Sequence, residues 1–373
     1  MGILFTAPQD EYKIIEDEWK NRLSEISKKG IFVGGPEVAN FEKKFAEYLN
    51  TPYVSGVGNG TDALFLALLA LGVGPGDEVI TVANTFIATV EAIHQTGAKP
   101  VLVDCDAESY LIDLDQVRNK ITKNTKAIIV VHLYGQIVDF TSLKDEVSGE
   151  NIYIIEDTAQ AAGAKLKDKY AGTLGNIGCY SFYPDKNLGA LGDGGCVSTD
   201  SLEIINKINM LKNHGGTARY EHKIAGYNSR LDPIQTSALS LKLDKLNLWN
   251  EKRRVNARNY EIGLKDIPGI ILPSWNDDES HVFHLYVVRI LNGLRTKVKK
   301  HLLKKGILTG IHYPTPIHLT EAFGFLGYKQ GDFPNSEEFA EQILSLPMHI
   351  SLNEDDISFI CDELKYILNE NNI

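Results

Sequence analysis

Short runs of apolar residues, each cut off by Gly, Pro or Asp, recur in the first half of the chain. They lie at 78–82 (EVITV), 100–103 (PVLV), 127–133 (AIIVVHL) and 152–155 (IYII). Nearly continuous apolar runs of this length are how strands buried on both faces of a parallel sheet read. Between them lie stretches with apolar positions at helical spacing, among them 61–71 (TDALFLALLAL) and 85–95. Strands that alternate with helices in this way predict an α/β domain with a mostly parallel sheet and helices on both faces.

The pattern changes near residue 230. Positions 232–264 read as one long helix, entered through Pro233 in its first turn, where a proline removes no helical hydrogen bond. A strand at 283–290, a basic helix at 297–305, a proline-broken segment at 312–318 and a terminal helix after Asn353 follow. The expected division is a large α/β domain at 1–244 and a smaller C-terminal α+β domain at 245–373, with the N-terminal segment free to pack on the small domain.

Composition narrows the function classes. The 373 residues are 43% hydrophobic and 23% charged, enough to bury a sizeable core. The net charge of −11, with no basic block, argues against nucleic acid or an anionic membrane as a partner. Cys105, Cys179, Cys196 and Cys361 are scattered and form no Cys-x-x-Cys pair, so neither a disulfide framework nor a metal site is expected. The opening MGILFTAPQDEY turns acidic at once, and no run approaches the ~18 apolar residues of a membrane span. A soluble, cytoplasmic protein is expected.

Three segments carry candidate chemistry. SGVGNGT at 55–61 joins a short strand to a helix, with Thr61 as a plausible N-cap. Its glycines admit close backbone approach, and free N–H groups at the helix start suit a phosphate, although an ordinary tight turn has the same appearance. Glu156 and Asp157 end the strand IYII, where open α/β sheets meet their ligands; Asp157 would serve equally as a helix cap. The small residues Ala159, Ala161, Ala162, Gly163 and Ala164 that follow leave room for something bulky. CYSFYPDKNLGALGDGG at 179–195 places Lys186 in a glycine-dense turn after an aromatic strand. A lysine desolvated there would have a lowered pKa and could form a Schiff base with a carbonyl, where most lysines are solvated surface charges. The glycine fingerprint of a Rossmann dinucleotide site and the P-loop lysine motif are both absent, which disfavours a nicotinamide oxidoreductase or an NTPase.

Six ordered motifs give the chain a family likeness: GNGTDAL (58–64), PGDEVI (75–80), NTFIAT (84–89), EDTAQAAGA (156–164), SFYPDKNLGALGDGG (181–195) and GYNSRLDPIQ (226–235). In these it resembles the DegT/DnrJ/EryC1/StrS sugar aminotransferases, enzymes that use pyridoxal 5′-phosphate on the aspartate aminotransferase-like, fold-type-I scaffold. The resemblance implies that Lys186 carries the cofactor as a Schiff base. It further implies that Asp157 pairs with the pyridine nitrogen, Gln160 hydrogen-bonds the ring 3-hydroxyl and Phe86 stacks on the ring. Gly60, Thr61 and Ser181 would hold the phosphate, with Asn228 reaching it from a second subunit, so a homodimer with shared active sites is expected.

The amino donor implied is L-glutamate and the acceptor a nucleotide-linked keto sugar. KNLGALGDGG resembles the 3-keto branch, giving dTDP-3-keto-6-deoxyhexose as substrate and dTDP-3-amino-3,6-dideoxyhexose, in the glucose configuration, as product. A 4-keto or a UDP-linked 3-keto sugar is the alternative. Family members that remove a 3-hydroxyl carry histidine at the lysine position, and this chain does not. Tyr183, His312 and His318 are candidate sugar contacts; Arg219, Tyr220 and Arg230 are candidates for the diphosphate. A cofactor-binding regulator without turnover is a rival from another class, opposed by the intact Lys186, Asp157, Gln160 and Ser181.

Overall fold

The computed structural model describes residues 2–276 and 278–370. Helices α1 (Pro8–Lys29) and α2 (Pro36–Leu49) precede β1 (Tyr53–Val57), α3 (Gly60–Ala70), β2 (Glu78–Val82), α4 (Ile87–Gln95) and β3 (Lys99–Val103). Then come α5 (Leu114–Lys120), β4 (Thr125–Val131), α6 (Phe140–Glu146) and β5 (Tyr153–Asp157). A small hairpin, β6 (Lys165–Leu166) and β7 (Lys169–Tyr170), leads to β8 (Ile177–Ser181), β9 (Gly195–Thr199) and α7 (Leu202–Leu211). A second hairpin, β10 (Gly216–Ala218) and β11 (Glu221–His222), precedes α8 (Pro233–Leu243) and α9 (Leu246–Leu264). The last elements are β12 (Ile270–Ile271), β13 (Tyr286–Ile290), α10 (Arg295–Lys304), α11 (Pro334–Gln342), β14 (Ile343–Leu346) and α12 (Glu354–Asn369).

Seven strands form the main sheet in the order β1-β9-β8-β5-β4-β2-β3. All neighbours are parallel except at β9, which runs against both β8 and β1. The apolar runs are continuous because both faces are covered. Val79, Ile129 and Ile155 pack with α3 on one face, whereas Ile80, Ile128 and Val130 join Tyr110, Leu133 and Phe140 on the other. This sheet points six strands the same way, so their carboxyl ends share one rim.

The stretch expected as a single helix at 232–264 is two. Asp244 and Lys245 separate α8 from α9. No Gly or Pro marks the break. It follows from burial: α8 is enclosed from Thr236 to Leu243, whereas α9 buries only one side, at Trp249, Asn250, Arg253, Ala257, Tyr260 and Leu264. The antiparallel sheet β12-β13-β14 packs against α9, α10 and α12 through Tyr260, Tyr286, Leu302, Leu346 and Leu364. Helix α12 starts at a reciprocal capping box between Asn353 and Asp356.

Residues 2–6 lie along this second sheet region rather than on the first. Ile3 N–H donates to Gly306 O at 2.8 Å, Leu308 N–H to Ile3 O at 3.0 Å, and Met348 N–H to Phe5 O at 3.1 Å. The next helix ties the two regions together through a buried ion cluster. Glu11 of α1 meets Lys242 Nζ of α8 at 3.1 Å and Arg253 of α9 at 3.8 Å. Arg253 also donates to the carbonyls of Phe283 and Met348. Among the described residues, no helix is long and apolar enough to cross a membrane.

Candidate active site

The carboxyl ends of β1, β2, β4, β5 and β8 open onto a cavity of about 740 Å³, where open parallel sheets meet their ligands. Its wall includes Gly60, Thr61, Phe86, Asp157, Gln160, Ser181, Tyr183, Lys186 and His312, which motif reading had singled out from five separate segments.

The floor at one end is the start of α3. Asn59, not Thr61, caps this helix: its side chain accepts from Asp62 N–H at 2.8 Å, and Thr61 is the second helical residue. The first N–H groups of a helix have no helical acceptor and carry the positive end of its dipole, so they are free for an anion. Gly60 is needed here because a Cβ would fall 2.7 Å from Ser181 Cβ. The absent side chain lets α3 begin directly against the end of β8. Ser229 locks the loop from behind, accepting from Gly58 N–H at 2.9 Å and donating to Asp62 Oδ2 at 2.6 Å. Gly60→Ala is expected to push α3 and Ser181 apart and weaken anion binding about tenfold or more; cofactor titration by equilibrium dialysis checks this.

At the other end stands Asp157, the last residue of β5. Thr89 Oγ1 donates to its Oδ2 at 2.8 Å and Ala159 N–H to its Oδ1 at 3.2 Å. Burial raises its pKa against these bonds and against the attraction of Lys186. A cationic partner entering the cavity would reverse that shift. Gln160 is fixed at both ends of its amide, accepting from Tyr134 N–H at 2.6 Å and donating to Tyr313 Oη at 3.1 Å. Phe86 is half exposed and faces the Tyr313 ring at 5.5 Å.

Lys186 sits in the loop between β8 and β9. The loop is closed at its neck by the Ser181–Gly195 strand pair and by Phe182 N–H to Gly194 O at 2.8 Å. Gly189 is required inside it, since a Cβ would meet Pro184 O at 2.2 Å. Burial lowers the amine to about 8, with Asp157 and Asp185 opposing. Capture of an aldehyde by the ligand-free protein needs the neutral amine. Its rate should therefore rise about tenfold per pH unit below pH 8 and level off above, measurable by stopped-flow absorbance; a rate that keeps rising towards pH 10.5 would mean the amine is not desolvated.

Sequence reading did not find Phe5, Thr6, Thr85, Asp185, His284 or Tyr313, which also line the cavity. Phe5 stacks on His312 at 5.5 Å, and Thr6 Oγ1 donates to Asp185 at 3.1 Å. His312 is anchored by Ser345 Oγ at 2.8 Å. The structure corrects one sugar-contact candidate. His318 is buried away from the cavity, paired with Glu337 at 2.9 Å and packed edge-on against Phe333, so its role here is in packing. Asn228, Arg219, Tyr220 and Arg230 also lie outside the cavity of a single chain. Asn228 bridges to Asn213, Arg230 donates to Asn213 Oδ1 at 3.0 Å, and Arg219 covers the exposed Tyr220 ring. Among the described residues, no group of three or more His, Cys, Asp or Glu side chains could hold a metal ion.

Comparison with known proteins gives this geometry a chemical identity. The DegT/DnrJ/EryC1/StrS aminotransferase family matches residues 13–365. A "pleiotropic regulatory protein" of Geobacillus stearothermophilus is 41% identical, covering 98% of each chain. The dTDP-3-amino-3,6-dideoxy-alpha-D-galactopyranose transaminase of Aneurinibacillus thermoaerophilus is 42% identical over 93% of this chain and 94% of its own. The UDP-2-acetamido-2-deoxy-3-oxo-D-glucuronate aminotransferase of Pseudomonas aeruginosa is 38% identical over 97% and 99%. Among solved structures, S. venezuelae DesV in complex with a ketimine intermediate superposes with TM-score 0.95 at 37% identity, covering 98% of each chain. Bacillus subtilis NtdA with bound cofactor PMP gives 0.91 at 30% identity, covering 99% of this chain and 86% of its own.

Pyridoxal 5′-phosphate, the cofactor of such enzymes, fits the residues present. The cavity offers an anion site at the start of α3, a desolvated amine, and a buried carboxyl whose raised pKa awaits a cation. The fold is that of the fold-type-I aminotransferases. The chain therefore belongs to the DegT/DnrJ/EryC1/StrS family and is a pyridoxal phosphate-dependent sugar aminotransferase.

Proposed function

We propose that the enzyme moves the amino group of L-glutamate to C3 of a nucleotide-linked keto sugar, working in the cytoplasm as a homodimer. The proposed substrate is dTDP-3-keto-6-deoxyhexose, giving dTDP-3-amino-3,6-dideoxyhexose in the glucose configuration. The observation that carries this reading is the cavity itself. Beyond Lys186, Asp157, Gln160 and Ser181 it keeps a second wall of Phe5, Tyr183, His312 and Tyr313, aromatic and imidazole faces on which a sugar ring can lie. The two named transaminase relatives differ in their nucleotide, yet both names place the reacting carbon at position 3.

In this reading Gly60, Thr61 and Ser181 bind the cofactor phosphate, with Asn228 supplied by the partner subunit. Asp157 holds a proton on the ring nitrogen, Gln160 fixes the ring hydroxyl, and Phe86 lies against the ring face. The cofactor, when bound, supplies an electron sink that stabilises negative charge at the donor's α-carbon. Lys186 would take the proton from that α-carbon and deliver it two bonds away, on the cofactor carbon beyond the amino nitrogen. A pKa near 8 equips it to do both at neutral pH. In this reading Arg219 and Tyr220, on the turn between β10 and β11, and Arg230, two residues after Asn228, would meet the substrate diphosphate from the partner subunit.

The test is spectroscopic. The purified protein should be yellow, and L-glutamate should bleach it. Colour should return with dTDP-3-keto-6-deoxyhexose faster than with its 4-keto isomer or a UDP-linked 3-keto sugar. Return with the 4-keto isomer alone would reject the C3 assignment. The relative named as a regulatory protein favours a second reading, ligand binding without turnover. A yellow protein that glutamate leaves unchanged would support it.

A further inference from the structure

One polar side chain of the cavity has no task in the scheme above. His284 lines the cavity, is 7% exposed, and its Nδ1 is buried without a hydrogen-bond partner. Such an orphan is uncommon in a folded protein and calls for an explanation.

The backbone that carries it is held with unusual care. Val282 N–H donates to Gly135 O at 3.0 Å and Leu285 N–H to Tyr134 O at 3.3 Å. Asn187, the residue after the catalytic lysine, donates from Nδ2 to Val282 O at 3.0 Å and to Asn250 Oδ1 at 2.8 Å. Arg253 donates to Phe283 O at 3.3 Å. Between these clamps Phe283 is forced to φ 43°, a left-handed conformation that bulky residues rarely adopt. The His281 ring stacks on it at 3.7 Å, and Phe283 N–H donates to His281 Nδ1. Strain kept in place by surrounding bonds clusters at functional sites. Here its effect is to turn the next residue, His284, into the cavity on a segment tied by Asn187 to the Lys186 loop.

The chemistry of the ring follows from its surroundings. Burial and the nearby Lys186, Arg253 and His312 hold the imidazole far below its usual pKa, so it is neutral across the physiological range. A neutral imidazole has one N–H and one lone pair. A buried N–H without an acceptor costs more than an unused lone pair, so the lone pair belongs on Nδ1 and the proton on Nε2. That leaves a neutral donor for the cavity.

We propose that His284 Nε2–H donates to the carbonyl oxygen of the keto substrate and polarises it for attack by the amine. The proposal rests on the aminotransferase reading. As the amine nitrogen adds to the carbonyl carbon, the π pair moves to the oxygen and the His284 hydrogen bond tightens on the growing charge. The oxygen then leaves as water with the two protons shed by that nitrogen. His284 gains and loses none. A donor that need not titrate is suited to this, because an imidazolium beside Lys186 would compete with it for the same buried carboxylate.

The test compares three variants of the holoenzyme in the colour return with saturating 2-oxoglutarate. His284→Gln keeps an N–H near the Nε2 position, His284→Asn moves it back toward Nδ1, and His284→Leu removes it. The Leu variant should lose about 10²-fold in saturating rate, the size of effect expected for one donor to a developing oxyanion. The Gln variant should stay within about tenfold of wild type and above Asn. The yellow band and thermal midpoint of the Gln variant should be unchanged. Equal rates for Gln and Asn, or a Leu variant matching wild type, would overturn the role of His284. A Leu variant that does not fold leaves the Gln–Asn pair to decide. Failure of the wild type to bleach with glutamate would instead reject the aminotransferase reading, so the two failures are distinguishable.

Discussion

Lys186→Ala should lower amine transfer by about 10⁴-fold while leaving the fold intact. The size reflects two losses at once: the proposed covalent anchor for the cofactor and the amine that lines the cavity beside Asp157. The sign of the stability change is equally specific. Folding depresses the Lys186 pKa from 10.5 to about 8, so the folded state disfavours the charged amine. That penalty is present in full below pH 8 and disappears as pH rises towards 10.5. Alanine removes it, so at pH 7 the variant should melt no lower than cofactor-free wild type and its advantage should shrink above pH 8. A colourless, well-folded protein is expected in absorbance and calorimetry. A yellow variant that still bleaches with glutamate would mean that another lysine carries the cofactor.

Glu11→Ala should be the most damaging single change to stability, about 3–5 kcal/mol. Glu11 is buried, and removing it leaves Lys242 and Arg253 as cations without their counter-ion in the interior. Arg253 is the donor that holds the Phe283 and Met348 carbonyls, so the damage should travel to the segment that presents His284. Urea denaturation measures the loss, and the slow exchange of amides around 282–285 should be lost before global unfolding. A change below 1 kcal/mol would show that water reaches the cations and that the cluster is less closed than its burial indicates.

Local chemistry was legible where one stretch of chain contained all of it. Strand β2 was read at its observed bounds because Asp77 and Asn84 flank the β-rich stretch EVITV. Lys186 and Asp157 were legible because glycine density and a strand-end carboxylate are visible in adjacent letters. What escaped was whatever depends on distant segments meeting. Thr89 holds Asp157 across 68 positions, and Gln160 reaches Tyr313 across 153. Nothing in the letters around Phe5 or His284 announces a cavity hundreds of residues away. The α8–α9 break was hidden for a different reason: a helix can end because its packing partner ends, with no breaker residue written into it. His312 and His318 share one proline-broken segment, and only tertiary packing sends one to the cavity and the other to Glu337.

The reversed strand β9 has a consequence for the order in which the protein comes into being. In the sheet, β1 touches only β9, although β9 is translated long after it. A nascent chain that has emerged through β5 can assemble β2, β3, β4 and β5 as parallel neighbours, but β1 has nowhere to dock. When β9 arrives it pairs with β8 on one side and β1 on the other. In a single event it closes the lysine loop and brings the start of α3 against Ser181. The start of α3 and the lysine loop are thus brought together by one late strand pairing, before the wall that carries His284, His312 and Tyr313 has been made. A ribosome stalled before Gly195 would display β8 as an open strand edge, a natural landing place for a chaperone.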